Sequence, residues 1–266
     1  MRPMGWTTLL MISLAATLAV LPLSAEAQQE LSYSQYKSLS WAASRMDHLA
    51  AFEPIHGEEG MFTALGERFG TVIVIKHTAL GAERVWKSNQ LSGIPDEVMV
   101  ADLDGDGLED AIICRTNSGK VYVWSMEGYT LLWESLPSEY RSVSCFTTAN
   151  VDDDPANEIV LLADNKIVYI DGGTFNKDWT SLNDFSATMI RCGDVDGDGR
   201  VEIVLNSGKV LDSVTGGVEW EEEAFYTVIE LLDIDGDGMP EVLTENGING
   251  PLKVYDMDYG NEVRFR

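Results

Sequence analysis

The chain has 266 residues, and 44 acidic against 18 basic side chains give it a formal net charge of −26 at pH 7. A surface this acidic repels nucleic acid and anionic lipid and attracts cations, so a nucleic-acid partner is excluded and a metal ion is favoured. Three cysteines, Cys114, Cys145 and Cys192, are too few and too irregularly spaced for a disulfide framework or a zinc site. Each lies in an apolar run and reads as a small core residue, with one disulfide left open in an oxidising compartment.

In chain order, residues 1–27 read as a secretory signal peptide. Arg2 is followed by an apolar run from Leu9 to Leu23, and Ala25-Glu26-Ala27 precedes Gln28. That run is shorter than the ~20 residues that span a bilayer, and no later stretch is long and apolar enough. The protein is therefore expected to be secreted, extracellular or periplasmic, with no membrane span after signal cleavage. Residues 28–45 form an N-terminal segment with a strand around Leu39-Ser40-Trp41.

From residue 46 the chain repeats, with units near 46–93, 94–140, 141–185, 186–226 and 227–266. Four nine-residue segments align without gaps, beginning at Asp102, Asn150, Asp194 and Asp233. They recur every roughly 40–50 residues, the length of one four-stranded propeller blade. After each comes an apolar run (Ala111-Ile112-Ile113, Ile159-Val160-Leu161, Ile203-Val204-Leu205, Val242-Leu243), a turn, and an alternating run such as Val121-Tyr122-Val123-Trp124. These are strand signals bounded by Gly, Asn and Asp. Trp86, Trp133, Trp179, Trp220 and Phe265 then close the units, and one aromatic per unit is expected to pack between neighbours rather than form a binding ladder. Glu53 to Trp86 is a degenerate first unit, with Ile55, Gly57 and Met61 at positions where the other units carry acids, so no metal is expected there. The fold class is all-β, a β-propeller of about five four-stranded blades. Trp41 makes one closing strand more than the units require. It is expected to join the last blade and close a five-bladed monomer, the alternative being that Val263-Arg264-Phe265 completes that blade.

The nine-residue loops carry the chemistry. Positions 1, 3, 5 and 9 hold oxygen-bearing side chains, and a tight loop turns alternate acids inward while the seventh residue offers its carbonyl. Hard oxygen ligands in that number suit Ca²⁺, whose geometry is flexible, better than Mg²⁺. Soft metals want His or Cys, which the loops lack. Likeness to an EF-hand stops at position 7, because the last acid comes at 9 rather than 12 and the flanks read as strands. Bare acidic turns are disfavoured by magnitude: two carboxylates ~4 Å apart repel by roughly 4 kcal/mol at an effective dielectric of 20.

Four such loops at blade spacing resemble the FG-GAP or VCBS repeats, whose acidic loops bind calcium on propeller blades as in integrin α-subunits. The resemblance covers Glu53 to Arg266. It implies calcium ligands at Asp102, Asp104, Asp106 and Asp110; at Asp194, Asp196, Asp198 and Glu202; and at Asp233, Asp235, Asp237 and Glu241. The loop of Asn150, Asp152, Asp154 and Glu158 departs from the pattern. Pro155 stands where the others have a glycine that needs φ > 0, so this fourth site is expected to be the weakest.

No catalytic residues are expected. His48, His56 and His77 match no triad or metal spacing, and neither a nucleophile elbow nor a phosphate-cradling loop is present. The reading is a calcium-binding module for adhesion to a protein or glycan. The alternative is a secreted polysaccharide-acting hydrolase or lyase on the same scaffold.

Overall fold

The computed structural model describes residues 49–52, 61–78, 81–152, 154–222, 225, 227–245, 252–257 and 261–263. Every regular element among them is a strand, twenty in all, grouped as five four-stranded sheets in which consecutive strands are neighbours. The first sheet holds β1 (Leu49–Phe52), β2 (Met61–Glu67), β3 (Thr71–Thr78) and β4 (Gly81–Lys87); the second, β5 (Pro95–Ala101), β6 (Ala111–Thr116), β7 (Val121–Ser125) and β8 (Leu131–Glu134). The third holds β9 (Val143–Ala149), β10 (Glu158–Ala163), β11 (Lys166–Ile170) and β12 (Lys177–Thr180). The fourth holds β13 (Ile190–Gly193), β14 (Glu202–Leu205), β15 (Lys209–Asp212) and β16 (Val218–Glu221); the fifth, β17 (Val228–Leu232), β18 (Glu241–Glu245), β19 (Leu252–Asp256) and β20 (Asn261–Val263). The chain divides into two compact units, Met1–Val100 and Ala101–Arg266. Among the described residues no helix is long and apolar enough to cross a membrane.

The apolar runs are continuous rather than alternating because the middle strands are buried on both faces. In β14, Ile203 and Leu205 join a cluster with Val160, Leu162 and Ile167 of the third sheet, while Val204 joins Ile229 and Val242 of the fifth. Successive side chains point to opposite faces, so one strand seals two inter-sheet cores. Outer strands β8, β12 and β16 are exposed except at their tryptophan. Trp133 stacks on Phe175 at 6.0 Å, and Trp220 stacks on Phe225 at 5.2 Å and meets Tyr255 of the fifth sheet edge-on at 5.4 Å, which is the packing between neighbours expected of this series. Trp179 stacks at 4.7 Å on its cross-strand partner Tyr169 and packs against the core shared with the fourth sheet. A register shift recurs beside the tryptophan where the third and fourth strands pair, between Val74 and Ile75, Val123 and Trp124, Tyr169 and Ile170, and Val210 and Leu211. Such a bulge bends the outer strand.

Two residues after the tryptophan, buried Ser88, Ser135 and Ser181 accept a backbone N–H of the third strand through Oγ (from Val72, Val121 and Ile167, 2.9–3.1 Å). Each also donates its own N–H to the same residue's carbonyl. This repeated clamp escapes a reading of apolar periodicity, because a lone serine after a strand looks like turn chemistry. Cys114, Cys145 and Cys192 form no disulfide; Cys145 is buried in the core between the third and fourth sheets, and Cys192 packs against that core.

The fourth strand of the last sheet is β20, whose Val263, Glu262 and Asn261 oppose Val254, Tyr255 and Asp256 of β19. The strand expected around Trp41 lies outside the described residues, as do Phe265, Ile55, Gly57, His48 and His56.

Candidate metal centres

Each acidic loop joins the first strand of a sheet to the second. The first residue of the loop immediately follows one strand, and the ninth begins or precedes the next. Between them the chain is folded by its own carboxylates. Asp102 accepts the N–H of Gly105 on Oδ1 and of Gly107 on Oδ2, both at 2.8 Å. Asp194 does the same with Gly197 and Gly199, and Asp233 with Gly236 and Gly238. The third residue accepts from the fifth and the fifth from the seventh, in all four loops, at 2.7–3.2 Å. The two glycines of each of the first, third and fourth loops sit at φ between 76° and 99°, a region side chains disfavour, so the sixth-position glycine has the backbone reason expected of it.

The second loop solves the same problem differently. Pro155 has no N–H to offer a first-position carboxylate, and the first residue is correspondingly an amide: Asn150 Nδ2 donates to the Asp154 carbonyl at 2.6 Å. Asp152, Asp154 and Glu158 still converge, with ligand atoms within 4.8 Å of one another. Proline thus changes the closure of the loop without dispersing its acids.

Convergence in the other loops involves Asp102, Asp104 and Asp106; Asp194, Asp196 and Glu202; and Asp233, Asp235 and Asp237, again within 4.8 Å. Asp110, Asp198 and Glu241 stand outside those three groups. The ninth residue is nevertheless tied to its loop. Glu158, Glu202 and Glu241 accept the second residue's N–H (Val151, Val195 and Ile234) on Oε2 at 2.7–2.8 Å.

Whether these groups fit a cation is tested by the oxygens left over. Glu158 Oε1, Glu202 Oε1 and Asp110 Oδ1 are buried with no hydrogen-bond partner, and Glu158 and Glu202 are each 1% exposed. An orphaned buried carboxylate oxygen beside further carboxylates is costly unless something positive meets it. Burial, reinforced by Asp152 and Asp154, pushes Glu158 up to about 7 against the pull of the Val151 N–H. Burial, with Asp196, Asp194 and Asp198 adding to it and the Val195 N–H opposing, does the same to Glu202. Asp110 is raised by burial first and by Asp104 next. The donor set is all hard oxygen, and it fits Ca²⁺.

Outside the loops, His77 bonds Thr63 Oγ1 at 2.9 Å through Nε2 and faces no acid cluster among the described residues. The structure adds two features that motif reading overlooked. A groove of about 550 Å³ runs between the second and third loops, with Trp179, Val201 and Val214 as apolar wall and Asp152, Asp178 and Arg200 among its polar lining. Arg200 is held at 3.5 Å from Asp212. The other feature is Asn157, which reaches from the second loop to the first.

No family model matches the chain, and no curated protein is similar to it in sequence. Solved structures are similar in fold. BBS1N, crystallised in complex with ARL6DN, matches at a TM-score of 0.59 and 12% identity over 82% of this chain and 68% of that one. Saccharomyces cerevisiae Sqt1 matches at 0.55 and 15%, over 74% and 56% respectively. The V. cholerae biofilm matrix protein Bap1 matches at 0.53 and 19%, over 79% of this chain and 37% of Bap1. The chain thus spans only part of the length of these proteins. At such identities the likeness concerns the fold alone: the chain is an all-β protein of antiparallel four-stranded sheets of the propeller type.

Proposed function

We propose that this chain is a secreted calcium-binding β-propeller of the FG-GAP or VCBS kind, closing as a five-bladed monomer and acting as a non-enzymatic binding or adhesion module for a protein or glycan. The observation that carries the calcium reading is the pair of orphaned, buried glutamate oxygens, Glu158 Oε1 and Glu202 Oε1, each beside two further carboxylates. Asp102, Asp104, Asp106 and Asp110 would hold one ion, Asp152, Asp154 and Glu158 with Asn150 a second, and the Asp194 and Asp233 loops two more. Calcium would neutralise the loops and pin each first strand to its second. The adhesion reading is supported by the net charge of −26 and by the fold shared with a biofilm matrix protein.

The test is thermal melting in chelator and in millimolar calcium. Extracellular modules bind with Kd around 10⁻⁴–10⁻³ M, and calcium at ten times Kd adds about 1.4 kcal/mol per site. Four sites would supply roughly 5–6 kcal/mol, comparable with the whole stability of many domains. Identical melting temperatures in the two buffers would overturn the calcium reading. Screening the calcium-loaded protein for glycan binding and glycan cleavage checks the rest, cleavage being the result that removes the non-enzymatic part.

A further inference from the structure

The first and second loops are in direct backbone contact, and one side chain makes the connection. The Asn157 N–H donates to the Leu103 carbonyl at 3.0 Å, and Asn157 Nδ2 donates to the Asp102 carbonyl at 2.8 Å. Two successive carbonyls of the first loop are therefore held by one residue of the second. That residue immediately precedes Glu158, the buried acid with an unpartnered oxygen. Asp102, in turn, is the carboxylate that folds the first loop through Gly105 and Gly107. The contact leaves no slack: a Cβ on Gly105 would lie 1.7 Å from the Pro155 carbonyl oxygen, and one on Gly172 would lie 2.3 Å from that of Asn157 and 2.7 Å from that of Leu103.

The eighth position is an amide only in the second loop; the others carry Glu109, Val201 and Pro240. Proline has no N–H and valine no side-chain donor, so neither can make the paired bond. Between the third and fourth loops, Gly197 meets only the flexible thioether of Met239.

Resting on the calcium reading above, we propose that Asn157 is a positioning residue that makes the first and second loops bind calcium cooperatively. A cation drawn onto Glu158 orders Asn157, which holds the Asp102 and Leu103 carbonyls where the first loop needs them. The ordering cost is then shared between two binding events. Linkage makes the effect reciprocal: each loop tightens the other by the same factor.

The test is calorimetric titration of Ca²⁺ into a chain whose third and fourth loops are silenced by Asp196→Ala and Asp235→Ala. Adding Asp104→Ala or Asp154→Ala gives the affinity of each remaining loop alone. With both loops intact, calcium is expected to bind about five- to tenfold tighter at the second step than the single-loop affinities imply. Asn157→Ala should abolish that factor while leaving the second loop's own affinity, read with Asp104→Ala, within twofold. Asn157→Asp keeps size and backbone N–H but loses the Nδ2 donor, and it should behave alike, which covers a poorly folded alanine variant. Coupling that persists in both variants, or is absent in the parent, overturns the proposal while the calcium reading stands. No binding heat in any chain overturns both.

Discussion

Replacing Glu202 with glutamine should raise stability without calcium and forfeit stability with it. Glu202 is 1% exposed, one oxygen takes the Val195 N–H at 2.8 Å, and the other has no partner. Burial and three aspartates hold its carboxyl up to about 7 against an ordinary 4.5. Holding a carboxyl one pH unit above its ordinary value costs about 1.4 kcal/mol once the group is ionised, so at pH 8 the charged Glu202 costs the metal-free fold on the order of 3 kcal/mol. Glutamine keeps the acceptor for Val195 and removes the charge. The expected result in chelator at pH 8 is a variant melting roughly 6–12 °C above the parent, at about 2–4 °C per kcal/mol for a chain of this size. In millimolar calcium the order should reverse or close, because the third loop has lost a ligand. Thermal melting in both buffers is the assay. A variant destabilised equally in the two would refute the reasoning, showing that Glu202 acts through packing rather than charge.

The remaining predictions follow from the same geometry. In chelator, Glu158 and Glu202 bind protons in the folded state that the unfolded chain does not hold between about pH 4.5 and 7. Their contribution is therefore most favourable below pH 4.5 and is lost as pH rises through 7, so metal-free stability should increase from pH 8 to about 5.5. In the same interval calcium affinity should fall, since proton and cation compete for those oxygens; a pH-independent calcium affinity would contradict this. Gly105→Ala and Gly107→Ala both place a side chain at positive φ, but only the first meets backbone, at 1.7 Å, the second facing open space. Gly107→Ala should cost about 1 kcal/mol and Gly105→Ala several times more, and equal midpoints in urea would show that the two loops do not touch. Trp179→Ala, which removes the stack on Tyr169, should cost about 3 kcal/mol and leave calcium affinity unchanged by titration.

How much of this was legible in the sequence follows the range of the forces involved. Continuous apolar runs, an Asx-rich loop at a blade-length repeat and one aromatic per unit are local patterns, and they were enough for the sheets, the convergence of the loop acids and the packing of Trp133 and Trp220. The sixth-position glycines were legible too, because positive φ is a property of a single residue. Pro155 was read through the same local rule as marking the weakest site; that Asn150 Nδ2 donates across the loop to the Asp154 carbonyl was not legible. Only tertiary structure decided that Glu158 and Glu202 keep an oxygen buried and unmatched. It also brought Asn157 onto carbonyls 54 and 55 residues away. Such pairings depend on how one sheet stacks on the next, a long-range choice that no window of neighbouring residues encodes.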